Sequence, residues 1–220
     1  MKNSLIYLFV DIDIGDILKQ FKTVDFTIND AGDYKELSML TKIGENDSIE
    51  KIKATFAERA GKDVCFDDPF YLTSELLLKA GLTVSTVESC TGGLIGKRLT
   101  DIPGSSRYYD GGFITYSNAA KAALGVDKNI IEKYGAVSEQ TAYRMAEACL
   151  KNSSADISVS VTGIAGPDGA IENKPKGLVC FGLATVNGIK TYKRRFLGSR
   201  ALVRKASANF AINLVKKQLI

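Results

Sequence analysis

The chain contains no histidine. That removes the Ser-His-Asp triad, the Cys-His dyad and every imidazole base, so any acyl transfer must move its protons through lysine, tyrosine or a carboxylate. One spacing suits such chemistry. Pro103-Gly104-Ser105-Ser106 is followed ten residues later by Tyr116-Ser117-Asn118 and then by Lys121. A serine on a glycine loop can be exposed, and an intervening strand can return the chain alongside it. Lys121 would then sit one to two turns into the next helix, and a desolvated lysine is a workable base for a serine hydroxyl. On spacing alone, a turn capped by Ser105 and Ser106 with a solvated Lys121 fits better.

Three further segments carry chemical potential. Glu88-Ser89-Cys90-Thr91-Gly92-Gly93 stands between a strand pattern and a helix pattern. There α/β proteins bind anions on the free N–H groups of a helix start, although a plain glycine turn fits equally well. Gly92 to Arg98 imitates a phosphate loop, but it is one residue short and ends in Arg where magnesium needs Ser or Thr. Thr162-Gly163-Ile164-Ala165-Gly166-Pro167-Asp168-Gly169 ends a strand in a glycine-rich loop whose N–H groups suit an oxyanion hole or anion nest. Arg200, at the start of the last helix, could fork onto a phosphate. Arg204 and Lys205 read as surface charges.

These residues need a scaffold, and the pattern supplies one. Residues 1–68 hold apolar runs at Leu5–Val10 and Glu36–Leu40. A helical stretch over Ser48–Ala60 follows, carrying Ile49, Ile52 and Phe56, and closes at Gly61. They predict a small α+β N-terminal segment without a catalytic constellation. Residues 69–220 read as α/β. Pro69 opens a helix to Ala80, Leu82–Val87 is a strand, and Gly92–Thr100 is a helix. A strand over Gly112–Tyr116 leads into helices over Ala119–Leu124 and Asp127–Lys133. Ser138 caps a helix to Lys151, and Asp156–Val161 is a buried strand. Two strands flank Asn187-Gly188, and Ser199 caps the last helix. The fold class expected is α/β, a mixed β-sheet covered by helices on both faces.

Composition narrows the function classes. With 45% hydrophobic and 25% charged residues and a net charge of +4, the 220-residue chain reads as an ordinary globular protein. No basic stripe with interleaved aromatics points to nucleic acid. Lys193, Arg194 and Arg195 read as a solvated strand edge. Cys65, Cys90, Cys149 and Cys180 are far apart with no CxxC pair. They read as reduced, buried thiols of a cytoplasmic protein, and no metal site is expected. The run Leu5–Val10 breaks at Asp11 without a cleavage site, which reads as a strand rather than a signal peptide. No stretch reaches transmembrane length.

Taken together, ESCTGG (88–93), PGSS (103–106), GGFITYSNAAK (111–121), GAVS (135–138), SVTGIAGPDG (160–169) and KPKG (174–177) resemble the CinA C-terminal domain family. Its characterised members are nicotinamide-nucleotide amidohydrolases. The resemblance covers about residues 70–220, in the family's order. It implies that Ser106 is the nucleophile, that Lys121 takes its proton, and that Tyr116 assists. It further implies that Ser89, Thr162 and Arg200 hold substrate, with Glu88, Thr91, Gly92, Gly93 and Gly163 lining the same pocket. The substrate implied is a small pyridine nucleotide, with no cofactor, no nucleic acid and no membrane, and the family inclines to a homodimer. Residues 1–68 loosely resemble a fragment of the linker domain of longer members. Departures from the family's pattern are Ala170-Ile171-Glu172-Asn173, Ser199 and Val87.

The reaction expected is deamidation of nicotinamide mononucleotide. SCTGG would cradle the phosphate, and N–H groups of the Thr162–Ala165 loop would stabilise the oxyanion at ~3 kcal/mol per donor. Two other classes fit the same residues: a catalytically silent nucleotide-binding module, and a serine–lysine hydrolase of another amide.

Overall fold

In the computed structural model, which describes residues 2–9, 13–21, 24–31, 34–41 and 46–220, the chain divides into two units, Met1–Pro69 and Phe70–Ile220. The first contains β1 (Lys2–Leu8), α1 (Gly15–Gln20), β2 (Asp25–Asp30), β3 (Lys35–Thr41), α2 (Asn46–Ala60) and β4 (Val64–Cys65). Its antiparallel sheet has the order β2-β3-β1-β4, the split βαββαβ arrangement. Alternation puts Ile6, Leu8, Leu37 and Met39 on one sheet face, where Ile17, Ile52 and Phe56 of the helices join them in a core. The strand expected over Leu5–Val10 starts earlier and ends at Leu8, while Val10 and Asp11 lie outside the described residues. Helix α2 begins two residues before the expected Ser48.

The second unit comprises α3 (Pro69–Ala80), β5 (Val84–Glu88), α4 (Leu94–Thr100), a 3₁₀ turn at Ser105–Arg107, β6 (Tyr109–Ile114), α5 (Asn118–Leu124), α6 (Lys128–Tyr134) and α7 (Glu139–Lys151). It continues with β7 (Ile157–Gly163), β8 (Leu178–Thr185), β9 (Gly188–Arg195) and α8 (Arg200–Leu219). The sheet order is β6-β5-β7-β8-β9. Strand β5 pairs in parallel with β6 and β7, whereas β8 is antiparallel to both its neighbours. This is the mixed sheet that was expected. Several boundaries shift by one to three residues, and two of the differences bear on the site and the hairpin. Strand β6 ends at Ile114, leaving Tyr116 beyond it, and the tight turn is Val186-Asn187, because Thr185 pairs with Gly188.

Helices cover both sheet faces. On one, Ser158, Ser160 and Thr162 of β7 donate to the carbonyls of Ala146, Ala142 and Ala136 at 2.6, 2.6 and 2.7 Å. A polar ladder through alternate residues thus seats α7, and the turn that precedes it, on the strand. Close approach requires a glycine opposite. A Cβ at Gly182 would lie 2.6 Å from the Ala142 carbonyl oxygen and 2.7 Å from Ser160 Oγ. On the other face Phe181 meets Phe210 of α8 at a ring separation of 4.8 Å, with Phe196 alongside. Arg194, read from sequence as solvated, lies 4.9 Å over the Phe210 ring. Among the described residues no helix is long and apolar enough to cross a membrane.

Candidate active site

Sheet hydrogen bonding continues one residue past β5. Ser89 N–H donates to Val161 O at 2.9 Å, and Thr115 N–H to Glu88 O at 2.8 Å. Ser89 therefore sits at the carboxyl edge of three parallel strands, where open α/β sheets bind ligands. From the end of the neighbouring strand β6, Ser117 caps α5 by accepting from Ala120 N–H. The first turn of that helix brings Lys121 back to the same edge. Lys121 Nζ lies 3.0 Å from Ser89 Oγ, 2.7 Å from Thr115 O and 3.4 Å from Tyr116 O.

The lysine is 1% exposed and has no carboxylate partner among the described residues. Burial pushes its pKa below the ordinary lysine value, with the Cys90 thiol acting in the opposite sense. The neighbours suit a neutral amine. Two carbonyls take its two N–H groups, and the third neighbour is a hydroxyl able to donate to the remaining lone pair. Ser89 Oγ and Lys121 Nζ thus stand within hydrogen-bond range of each other.

Ser106 is elsewhere. It lies on the 3₁₀ turn before β6, whereas Lys121 follows the far end of that strand. From Tyr109 to Ile114 the strand advances about 16 Å, at roughly 3.3 Å per residue. The direct contact expected between Ser106 and Lys121 is therefore not made within one chain, and Ser89 occupies that place. Ser106 is exposed, and its hydroxyl has no hydrogen-bond partner among the described residues.

The expected phosphate cradle is already filled. The carboxylate of Glu88, 1% exposed, accepts from the N–H groups of Gly93, Ile95 and Gly96 at 2.9, 3.1 and 2.9 Å. These are the donors a phosphate would have used. Glu88 thus caps α4 from inside rather than lining a pocket. Gly92 and Gly93, at φ +58° and +91°, make the left-handed turn that allows this. Thr91 is fully buried and its hydroxyl lacks a partner.

Sequence reasoning missed Arg204. Read as a surface charge, its guanidinium instead donates to Cys90 O at 3.2 Å and Thr91 O at 2.6 Å. The available signal was its position four residues after Arg200, which puts both on one face of α8. Arg200 donates to Gly166 O at 2.9 Å and to Tyr116 Oη at 3.1 Å. Tyr116, Arg200 and the glycine loop are thereby brought together. Thr162 spends its hydroxyl on Ala136 O, and Gly163 permits β8 to approach, since a Cβ there would meet Leu178 O at 2.9 Å. The Ile164 N–H donates to Leu178 O, so it is not an oxyanion donor. By contrast, the N–H group of Thr91 has no hydrogen-bond partner among the described residues, while that of Cys90 faces its own thiol.

Residues 71–219 match the CinA C-terminal domain. The chain belongs to that family. A CinA-like protein of Leptospira biflexa is 46% identical over 164 residues, 74% of this chain and 39% of that protein. A protein of Enterobacter agglomerans named nicotinamide-nucleotide amidohydrolase PncC is 51% identical over 146 residues, 65% of this chain and 89% of the relative. The chain spans about two fifths of the length of several CinA relatives it matches. Among solved structures, a competence/damage-inducible protein from Agrobacterium tumefaciens is 41% identical with a TM-score of 0.66. The match covers 69% of this chain and 95% of that one. One from Enterobacter asburiae has a TM-score of 0.67 at 32% identity, covering 70% and 99%.

Proposed function

We propose that this CinA-family chain is an amidohydrolase that converts nicotinamide mononucleotide to nicotinic acid mononucleotide and ammonia at a Ser89–Lys121 centre. The observation that carries the reading is the 3.0 Å separation of Ser89 Oγ from a buried, carboxylate-free lysine amine. The 51% identical relative named for this activity supports the substrate class. Neutral Lys121 takes the Ser89 proton as Oγ attacks the carboxamide carbon. The C–N bond breaks, the proton passes to the departing nitrogen, and ammonia leaves. Water, giving a proton to the same amine, then adds to the acyl carbon. The C–Oγ bond breaks, the proton returns to Ser89 Oγ, and the carboxylate product is released. The partnerless N–H group of Thr91 follows the nucleophile closely, the position from which such a donor holds an oxyanion. Arg200, presented by Tyr116 and Gly166, is the cation for the phosphate.

A second reading keeps Ser106 as nucleophile, as the family resemblance implies. It is favoured by the exposed, partnerless hydroxyl of Ser106, and within the geometry above it requires Ser106 of a second copy to reach Lys121. One experiment separates the two. Ser89→Ala is expected to lower ammonia release by on the order of 10⁴-fold or more, while Ser106→Ala stays within about tenfold of the parent. Recovery of turnover on mixing Ser106→Ala protein with Lys121→Ala protein would instead establish the shared site. Undiminished turnover in both serine variants would reject the serine mechanism.

A further inference from the structure

The elbow carrying Ser89 is held from two sides by charged side chains that make no hydrogen bond to the Ser89 hydroxyl or to Lys121. From one side the buried Glu88 carboxylate gathers the N–H groups of Gly93, Ile95 and Gly96. From the other, Arg204 of α8 takes the carbonyls of Cys90 and Thr91. A trans peptide is planar, with its C=O and N–H pointing in opposite directions. By fixing Cys90 O, Arg204 therefore aims the Thr91 N–H away from itself. By fixing Thr91 O, it aims the Gly92 N–H, which donates to Ser89 O at 3.1 Å. Gly92 allows the turn through its left-handed backbone at φ +58°, since a Cβ there would make only ordinary contact with Arg204 at 3.7 Å.

We infer that Glu88 and Arg204 are positioning residues, a charged clamp that sets the orientation of the Ser89 hydroxyl and of the Thr91 N–H that receives the oxyanion. The inference rests on the reading of Ser89 as nucleophile. A misplacement near 1 Å at a reacting group costs about a hundredfold, and such a loss falls on turnover rather than on binding.

The test compares Arg204→Ala, Arg204→Lys and Glu88→Gln in the full chain. Glu88→Gln keeps the side chain's size but turns an NH₂ toward a backbone N–H. Ammonia release from nicotinamide mononucleotide is expected to show kcat lower by about 10- to 100-fold with KM within about threefold. Millimolar guanidinium should restore most of the turnover of Arg204→Ala and none of that of Glu88→Gln, and Arg204→Lys should fall between parent and Ala. A rise in KM at constant kcat would overturn the inference, because Arg204 would then be holding substrate. Absence of guanidinium rescue would overturn it too, unmasking a purely structural loss. Should Arg204→Ala fail to fold, Glu88→Gln and Arg204→Lys carry the same kcat-against-KM comparison. A second readout is independent of the substrate: the rate at which an alkyl fluorophosphonate labels Ser89, mapped by peptide mass. If the parent releases no ammonia yet labels at Ser89 faster than the variants, the substrate reading fails and the clamp stands. Equal labelling in parent and variants, or none in the parent, would overturn the clamp.

Discussion

Lys121 is surrounded by Ser89 Oγ, Thr115 O and Tyr116 O, and in the mechanism proposed above its protonation decides whether the serine can be activated. Its pKa in the folded chain lies below the ordinary value because burial disfavours the ammonium. The rate should therefore rise as pH climbs through that lowered pKa and level off once the amine is neutral. Folding stability carries the same sign. Between the lowered pKa and the unfolded value the unfolded chain binds more protons, so stability increases with pH across that window. Replacing Lys121 with Met should abolish the ascending limb of kcat/KM and flatten the dependence of the urea midpoint on pH over the same interval. A limb that survives in that variant would assign the titration to another group. The spacing alone favoured a solvated Lys121, and only the family resemblance singled that lysine out. Its contact with Ser89 was not legible in the sequence, since that required knowing that Ser106 precedes β6 while Lys121 follows its far end.

Local chemistry at the ends of elements was the most readable part of the fold. Ser138 and Ser199 cap α7 and α8 by accepting from Thr141 and Leu202, as expected from their place before each helical run. Strand β6 was read too late because Gly111 and Gly112 look like a turn. The reason for glycine at 112 appears only after pairing, when a Cβ there would meet Thr86 Oγ1 and Tyr109 Oη. The phosphate cradle was misread for a related cause. A helix start calls for an anion, and the sequence does not reveal that Glu88 folds back to supply it. Two substitutions test these packing arguments. Gly182→Ala forces a methyl against Ala142 O and should destabilise by about 1–3 kcal/mol in urea denaturation. Ser138→Ala removes the α7 cap and should cost about 1 kcal/mol by the same measurement.

At the scale of the molecule, each unit has its own sheet and its own buried side chains. The family match begins at residue 71, beyond the first unit. Residues 67–220 alone should therefore fold and retain ammonia release within about twofold of the full chain, checked by circular dichroism and turnover. Calorimetry of the full chain should resolve two transitions, one of which vanishes in the shorter protein. The α/β class and the mixed sheet were legible because periodicity and turn residues are local signals. The split βαββαβ order of the first unit was not, since pairing between distant strands leaves no mark on neighbouring residues. The cysteines give this division a practical use. Cys65 is buried in the first unit, and Cys90, Cys149 and Cys180 in the second, where burial lifts their thiols to about 12, 12 and 11. A sulfhydryl reagent at neutral pH then gains access only when its own half of the molecule opens. The native protein thus carries a built-in clock for each half, and the order in which the four sites acquire label reports which half yields first.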